Sequence, residues 1–370
     1  MAHTRAERRK TRLIVIGPLP PPIHGVAVST RLALDNDRLR DRFEVEHIDT
    51  SDRRPLSTME RWDLANVVLG LRNLGQLVGR LRGGRGVVYV PVSTFIGAFL
   101  RDSLFIHAAA LARWKVAVHI GNSWFREFYD ARGRLARWWV RTTLRRAAGV
   151  AVLGPRLQPT LKGLVPPERV AVVSNGTPDF EPVAVTRHEE RVLFFGNFLR
   201  GKGIAEAIEA ALIVTREHPG AEVLFAGEWL DPQLERDLRP RAEAAAGRIR
   251  FMAPVSGRAK EELLQSSAVL MFPARENEGQ PRAVLEALCR GLPIVATGHA
   301  TYNLGLRDGE DAFVVESADP TRLAGQVLRL LEDETLRARI GDAARVRWES
   351  DYTQELADQR LAEWLTAVGG

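Results

Sequence analysis

Short runs of apolar and β-branched residues recur along the chain, each closed by Gly, Pro or Asn and followed by a longer stretch whose apolar positions return every three or four residues. In the first half, the runs at 13–17, 43–48, 87–90, 116–120 and 150–153 predict strands, and 26–34 predicts a helix. Residues 175–182, Asn-Gly-Thr-Pro-Asp-Phe-Glu-Pro, carry no periodicity and read as an interdomain linker. The rhythm then restarts with strand runs at 191–196, 222–227, 249–251, 269–272 and 294–296. Alternation of this kind folds as a parallel sheet with helices on both faces. The chain is therefore expected to be α/β, with two doubly wound, Rossmann-like domains over 1–180 and 186–350.

Composition agrees with two cores. The chain has 370 residues, 45% hydrophobic and 7% aromatic, too long for one ordinary domain. No run of about 18 apolar residues predicts a membrane span. The basic first twelve residues run directly into the first strand instead of a signal-peptide core, so a cytoplasmic location is expected. The one cysteine, Cys289, falls on an apolar helix face and reads as a buried thiol.

The richest segment for chemistry is 273–297. Gly279 and Pro281 mark the entry to a helix whose apolar positions are Ala283, Val284, Ala287 and Leu288, and Gly291 stops it before a buried strand. Two carboxylates flank the entry, Glu278 on the loop and Glu286 about one turn inside. A helix N-terminus favours an anion such as phosphate, and a carboxylate accepts hydrogen bonds from a diol. An acidic residue ahead of a helix is also a common solvated cap, so spacing alone leaves both readings open.

Written out as Glu278-Gly-Gln-Pro-Arg-Ala-Val-Leu-Glu286-Ala with Gly291-Leu-Pro-Ile-Val-Ala-Thr297, the segment resembles the Glu-x7-Glu signature of retaining glycosyltransferase family 4, in particular bacterial enzymes that build surface polysaccharides and glycoconjugates. The resemblance implies the GT-B fold, two Rossmann-like domains facing a cleft, with the N-terminal one on the acceptor side and the last helix, about 352–370, packing back onto it. It implies transfer of a sugar from a nucleoside diphosphate-sugar donor to an acceptor hydroxyl with retention and without a metal or other cofactor. The acceptor would be a saccharide or lipid-linked saccharide. Glu278 would meet the donor sugar and Glu286 the ribose, while Gly279, Gln280, Pro281 and Arg282 would line the donor between them. A non-catalytic nucleotide-sugar-binding protein with the same shell is the alternative.

Two further loops extend the resemblance. Gly196-Asn-Phe-Leu-Arg-Gly-Lys-Gly203 is similar to the family's G-R-L-x-x-x-K-G, with Lys202 on the diphosphate lysine. Asn197 stands where Arg is usual, which removes one bidentate contact, and Arg200 can substitute from the same loop. In the first half, His24-Gly25 resembles a Gly-Gly loop that closes over the diphosphate, which makes Gly25 a donor contact. His119, in a segment similar to H-x-H-G-x-x-F-x-x-F-Y, would give a catalytic polar contact to the donor sugar; Gly121 replaces the second His.

Charge divides unevenly. Residues 1–185 carry 29 Lys and Arg against 16 Asp and Glu, and the remainder 23 against 30, so the halves stand at +13 and −7 within a total of +6. Residues 132–146 place six arginines around Leu135, Trp138, Trp139 and Val140. That makeup suits a helix in a lipid headgroup interface and equally a core-packed helix with a solvated arginine face. Peripheral contact with an anionic membrane at its inner face is one expectation, and no nucleic-acid module is recognised. Asp35-Asn36-Asp37 spells a metal-binding D-x-D but falls at a helix end, the histidines show no zinc spacing, and no G-x-G-x-x-G follows the first strand.

Overall fold

The computed structural model describes residues 10–54, 64–243 and 245–370. The basic segment 1–9 lies outside the described residues. The chain divides into two compact units, 1–174 with 357–370, and 175–356.

Unit 1 runs β1 (Thr11–Gly17), α1 (Gly25–Asp35), α2 (Asp37–Arg42), β2 (Phe43–Asp49), α3 (Leu64–Leu81), β3 (Gly86–Val92), α4 (Ile96–Leu111), β4 (Lys115–Ile120), α5 (Phe125–Asp130), α6 (Arg134–Arg145), β5 (Gly149–Val152) and β6 (Val170–Val172). Its sheet is parallel, ordered β2-β1-β3-β4-β5-β6. Strands buried on both faces require continuous apolar runs, as in Leu13-Ile-Val-Ile16 and Val87–Val90, all within 5% of full burial. The C-terminal residues Leu361, Ala362, Trp364 and Leu365 join a core cluster with Leu13, Val15, Val87 and Tyr89.

Unit 2 runs β7 (Arg191–Phe195), α7 (Ile204–Glu217), β8 (Glu222–Ala226), α8 (Pro232–Glu243), β9 (Ile249–Met252), α9 (Gly257–Gln265), β10 (Val269–Phe272), α10 (Arg282–Cys289), β11 (Ile294–Thr297), α11 (Gly298–Thr301), β12 (Phe313–Val315), α12 (Pro320–Glu332) and α13 (Glu334–Asp351), with α14 (Gln354–Gly369) beginning at its end. Its parallel order is β12-β11-β10-β7-β8-β9. Chain direction across the sheet reverses between β7 and β10. In open α/β sheets such a switch point leaves a crevice at the strand C-termini where ligands bind.

Residues 175–182, expected as a linker, are built into unit 2. The Thr177 N–H donates to Tyr352 O at 3.0 Å, Thr177 O accepts from the Gln354 N–H at 3.1 Å, and Asp179 pairs with Arg345 at 2.7 Å. The turn-rich composition was right for an irregular path, but main-chain hydrogen bonds and the Asp179–Arg345 pair fix it. Asp35-Asn36-Asp37 is a helix-to-helix corner: Asn36 caps α2 by accepting from the Leu39 N–H, and its Nδ2 donates to Asp358 O at 3.0 Å.

Candidate functional site

The loops after β7 and β10 meet at the switch point of unit 2. The Arg275 N–H donates to Gly201 O at 2.9 Å, stitching them together. Gly203 permits the close approach: it has φ 72°, and any Cβ there would overlap the Pro273 carbonyl oxygen. Across this seam Lys202 Nζ lies 2.6 Å from Glu278 Oε1 and 5.5 Å from the centroid of the Phe272 ring. The two key residues of the sequence reading, 76 positions apart in numbering, are therefore paired. Both remain partly open to solvent. Arg200, on the same turn, is exposed and shows no ion pair among the described residues; Asn197, half-buried, likewise makes no hydrogen bond there.

The loop carrying Glu278 is fixed from beneath. Its N–H donates to His299 O at 3.0 Å and its carbonyl accepts from Asn303 Nδ2 at 2.8 Å, while His299 Nδ1 meets Asn277 Oδ1 at 2.8 Å. Thr297 Oγ1 donates to Ala274 O at 2.5 Å and caps the short α11 by accepting from the Ala300 N–H. Sequence reading missed this support from β11 and α11, because no spacing rule links positions 274–278 to 297–303.

Pro281 caps α10, and its buried face carries Val284, Leu285, Ala287, Leu288 and Cys289. Glu286 stands on the other side, and Lys260 Nζ on α9 lies 2.8 Å from its Oε1. Lys260 was not foreseen; the signal available was the order of elements, which sets consecutive helices side by side. Arg290 donates from Nη1 to Glu286 O at 2.7 Å and from Nε to Glu261 Oε2 at 3.0 Å, extending the charged row.

Two of the expected donor contacts, Gln280 and Arg282, have side chains bonded to main-chain groups around the loop. Gln280 is buried; its Oε1 accepts the Asn175 N–H at 2.7 Å and its Nε2 reaches Asn303 O at 3.4 Å. Pro281 and Gly279 are buried as well. Arg282 places Nη1 3.4 Å from Gly176 O, and burial pulls its pKa down to about 10 against the attraction of Glu286. Gln280 and Arg282 brace the loop against 175–176. Cys289 is a buried thiol with its pKa pushed up to about 12 by burial, unsuited to act as a nucleophile.

In unit 1, Gly25 opens α1, exposed and with open space where a Cβ would stand. His24 precedes it as N-cap, its Nε2 sealed from solvent without a hydrogen bond, and burial lowers its pKa. His119 is the penultimate residue of β4, but its ring is engaged inside the unit. Nδ1 lies 2.8 Å from the Tyr89 hydroxyl, the ring meets Trp364 edge-on at 6.2 Å, and Nε2 is sealed from solvent. Burial pulls its pKa down to about 4, so the imidazole is neutral near pH 7, and burial raises the Tyr89 phenol. A contact with the C-terminal helix was not part of the expectation for this histidine. Trp138 and Trp139 divide their roles: Trp139 Nε1 donates to Ser103 Oγ at 3.0 Å, whereas Trp138 is exposed.

A family model described as "Glycosyl transferases group 1" matches residues 178–347, nearly all of unit 2. Among curated proteins, the chain is 29% identical over 226 residues to a D-inositol 3-phosphate glycosyltransferase of Acidothermus cellulolyticus, covering 53% of this chain and 50% of that one. It is 29% identical over 153 residues to a phosphatidyl-myo-inositol mannosyltransferase of Mycolicibacterium smegmatis, covering 41% and 39%. It is 27% identical over 255 residues to an alpha-D-kanosaminyltransferase of Streptomyces kanamyceticus, covering 64% of each. The matched part thus spans from about two fifths to just under two thirds of these relatives. Among solved structures, Anabaena Alr3699/HepE in complex with UDP and glucose aligns with TM-score 0.73 at 16% identity, covering 96% of this chain and 100% of that one. A glycosyltransferase from Rickettsia africae ESF-5 aligns with TM-score 0.74 at 13% identity, covering 98% and 99%. At these identities the likeness shows the fold, the two-domain α/β GT-B class expected from the sequence.

Proposed function

We propose that this chain is a retaining glycosyltransferase that takes a sugar from a nucleoside diphosphate donor and delivers it to an acceptor hydroxyl, with no metal or other cofactor. The observation that carries the reading is the Lys202–Glu278 pair at the switch point of unit 2, with the exposed Arg200 beside it. A partly exposed ion pair contributes only about 0–1 kcal/mol, so a donor diphosphate exchanges for Glu278 at little cost. Lys202 and Arg200 then hold the phosphates, and the Glu278 carboxylate accepts hydroxyl groups of the sugar. Glu286 keeps an oxygen for the ribose while Lys260 neutralises the other.

Catalysis on this reading is electrostatic. Cationic groups stabilise the departing diphosphate as the anomeric C–O bond breaks, and the acceptor oxygen bonds to the same face of that carbon. The acceptor proton passes to a phosphate oxygen of the leaving group, so no side-chain nucleophile is needed. The relatives named for inositol phosphate and phosphatidyl-myo-inositol support a polyol or lipid-linked acceptor, and the Anabaena structure with UDP and glucose supports a hexose donor. A binding-only protein is the second reading, favoured by His119 being engaged with Tyr89 and Trp364.

The test is release of nucleoside diphosphate from a panel of donors with and without lipid-linked acceptors, with the product anomer read by NMR. Turnover that survives chelator and keeps the donor's anomeric configuration supports the proposal. Donor binding without turnover across the panel replaces it with the binding-only reading.

A further inference from the structure

One layer of unit 1 presents a face that neither the donor site nor the fold explains. α3, α4 and α6 lie side by side, α4 against β3 and β4. The inward side of α3 buries Asn73, Leu77 and Leu81. Its outward side is also apolar: Leu64, Val67, Val68, Leu71 and Val78 are exposed at helical spacing, with Leu64 79% and Leu71 59% open. Leu64, Ala65, Val68, Leu69 and Arg72 line a shallow depression there. The stripe continues onto α4 with Leu104 and Leu111, and onto α6 with Leu135, 84% exposed, and Trp138, 59% exposed. Exposed apolar side chains gathered on three adjacent helices mark an interaction site.

Charge selects the partner. α3, α4 and α6 together contain a single acidic residue, Asp102, which is 2% exposed and paired with Arg101 at 2.7 Å. Exposed Arg72, Arg134, Arg141 and Arg145 stand among the apolar side chains. A protein partner would have to match scattered cations and a long apolar stripe at once. A bilayer with acidic headgroups supplies both over any area, since anionic phosphates meet the guanidinium groups while Leu, Val and Trp enter the acyl boundary. We infer that the outer face of α3, α4 and α6 docks unit 1 on an anionic lipid membrane. This extends the sequence expectation for 132–146 to a three-helix surface centred on α3, and it stands apart from the catalytic reading.

The test uses the whole chain, without donor or acceptor, in flotation with phosphatidylcholine vesicles lacking or containing phosphatidylglycerol. Wild type should float only with the acidic vesicles and release as salt rises. Val68→Asp with Leu71→Asp should abolish flotation, although every arginine remains. Arg134→Gln with Arg141→Gln and Arg145→Gln should weaken it about fivefold per arginine, on the order of 100-fold together. Because all five positions are exposed, melting temperatures should stay within a few degrees of wild type. Absence of flotation with acidic vesicles, or binding indifferent to lipid charge and to both variants, overturns the inference. So does a concentration-dependent dimer that the α3 variant dissolves in the absence of lipid, which would assign the face to a second copy of the chain.

Discussion

Lys202 and Glu278 come from loops after two neighbouring parallel strands, β7 and β10, and their charged atoms stand 2.6 Å apart. If the ammonium serves the diphosphate and the carboxylate the sugar, the two substitutions should differ in kind. Lys202→Met should raise the donor dissociation constant and lower kcat/KM by about 10²–10³-fold, the usual cost of losing one charged contact to a developing anion. Glu278→Ala should lower kcat with donor affinity held within tenfold. Steady-state kinetics and calorimetry check this; equal losses of affinity in both variants would contradict the division of roles.

Lys260 gives Glu286 a partner that any ribose must share. Glu286→Ala should weaken donor binding by about 10–100-fold, the range of a hydrogen bond to a charged group. Lys260→Met should cost less, because the carboxylate stays. A larger loss in the lysine variant would make Lys260 the ligand group and Glu286 its support.

Gln280 and Gly203 should behave as braces. Gln280→Ala orphans the Asn175 N–H and should destabilise unit 2 by about 1–3 kcal/mol while leaving donor affinity in the surviving fold nearly unchanged. Gly203→Ala meets a left-handed backbone worth about 1–2 kcal/mol and a clash with Pro273, so it should lower both melting temperature and donor affinity. Denaturation and titration on the same samples separate the two outcomes.

His119 gives a pH signature. Its folded pKa is lowered to about 4 from an ordinary 6.5, so between those values the unfolded chain binds a proton that the fold refuses. Stability should therefore fall as pH drops from about 6.5 to 4, by about 3 kcal/mol from this group, and no further below 4. His24, His47 and His107 are lowered in the same direction, so some slope remains without His119. His119→Asn should flatten the profile over that window; an unchanged slope would mean the imidazole titrates normally.

The sequence was most legible where periodicity and chemistry coincided. The strand runs of both sheets and the start of α10 follow from apolar runs and from Pro281, and Glu278 and Lys202 were singled out before their contact was visible. β6 and β12 escaped because each spans three residues at a sheet edge, too short for any period to show; pairing with β5 and β11 defines them. The outward stripe of α3 was illegible for another reason. Apolar residues on both sides of a helix look alike in sequence, and only packing tells which side met the core. Gln280 resembled a ligand residue by its place between Glu278 and Glu286, whereas its Oε1 accepts a main-chain N–H 105 positions away and its Nε2 meets a main-chain carbonyl 23 positions away.

The most direct test of the central claim is calorimetric titration of the chain with UDP-, GDP-, dTDP- and ADP-sugars, repeated on Lys202→Met. The account predicts that at least one donor binds the wild type with the bare nucleoside diphosphate retaining most of the affinity, and that Lys202→Met loses it while melting at an unchanged temperature. Donor affinity equal in wild type and a folded Lys202→Met variant would contradict the assignment of the diphosphate to the switch point of unit 2.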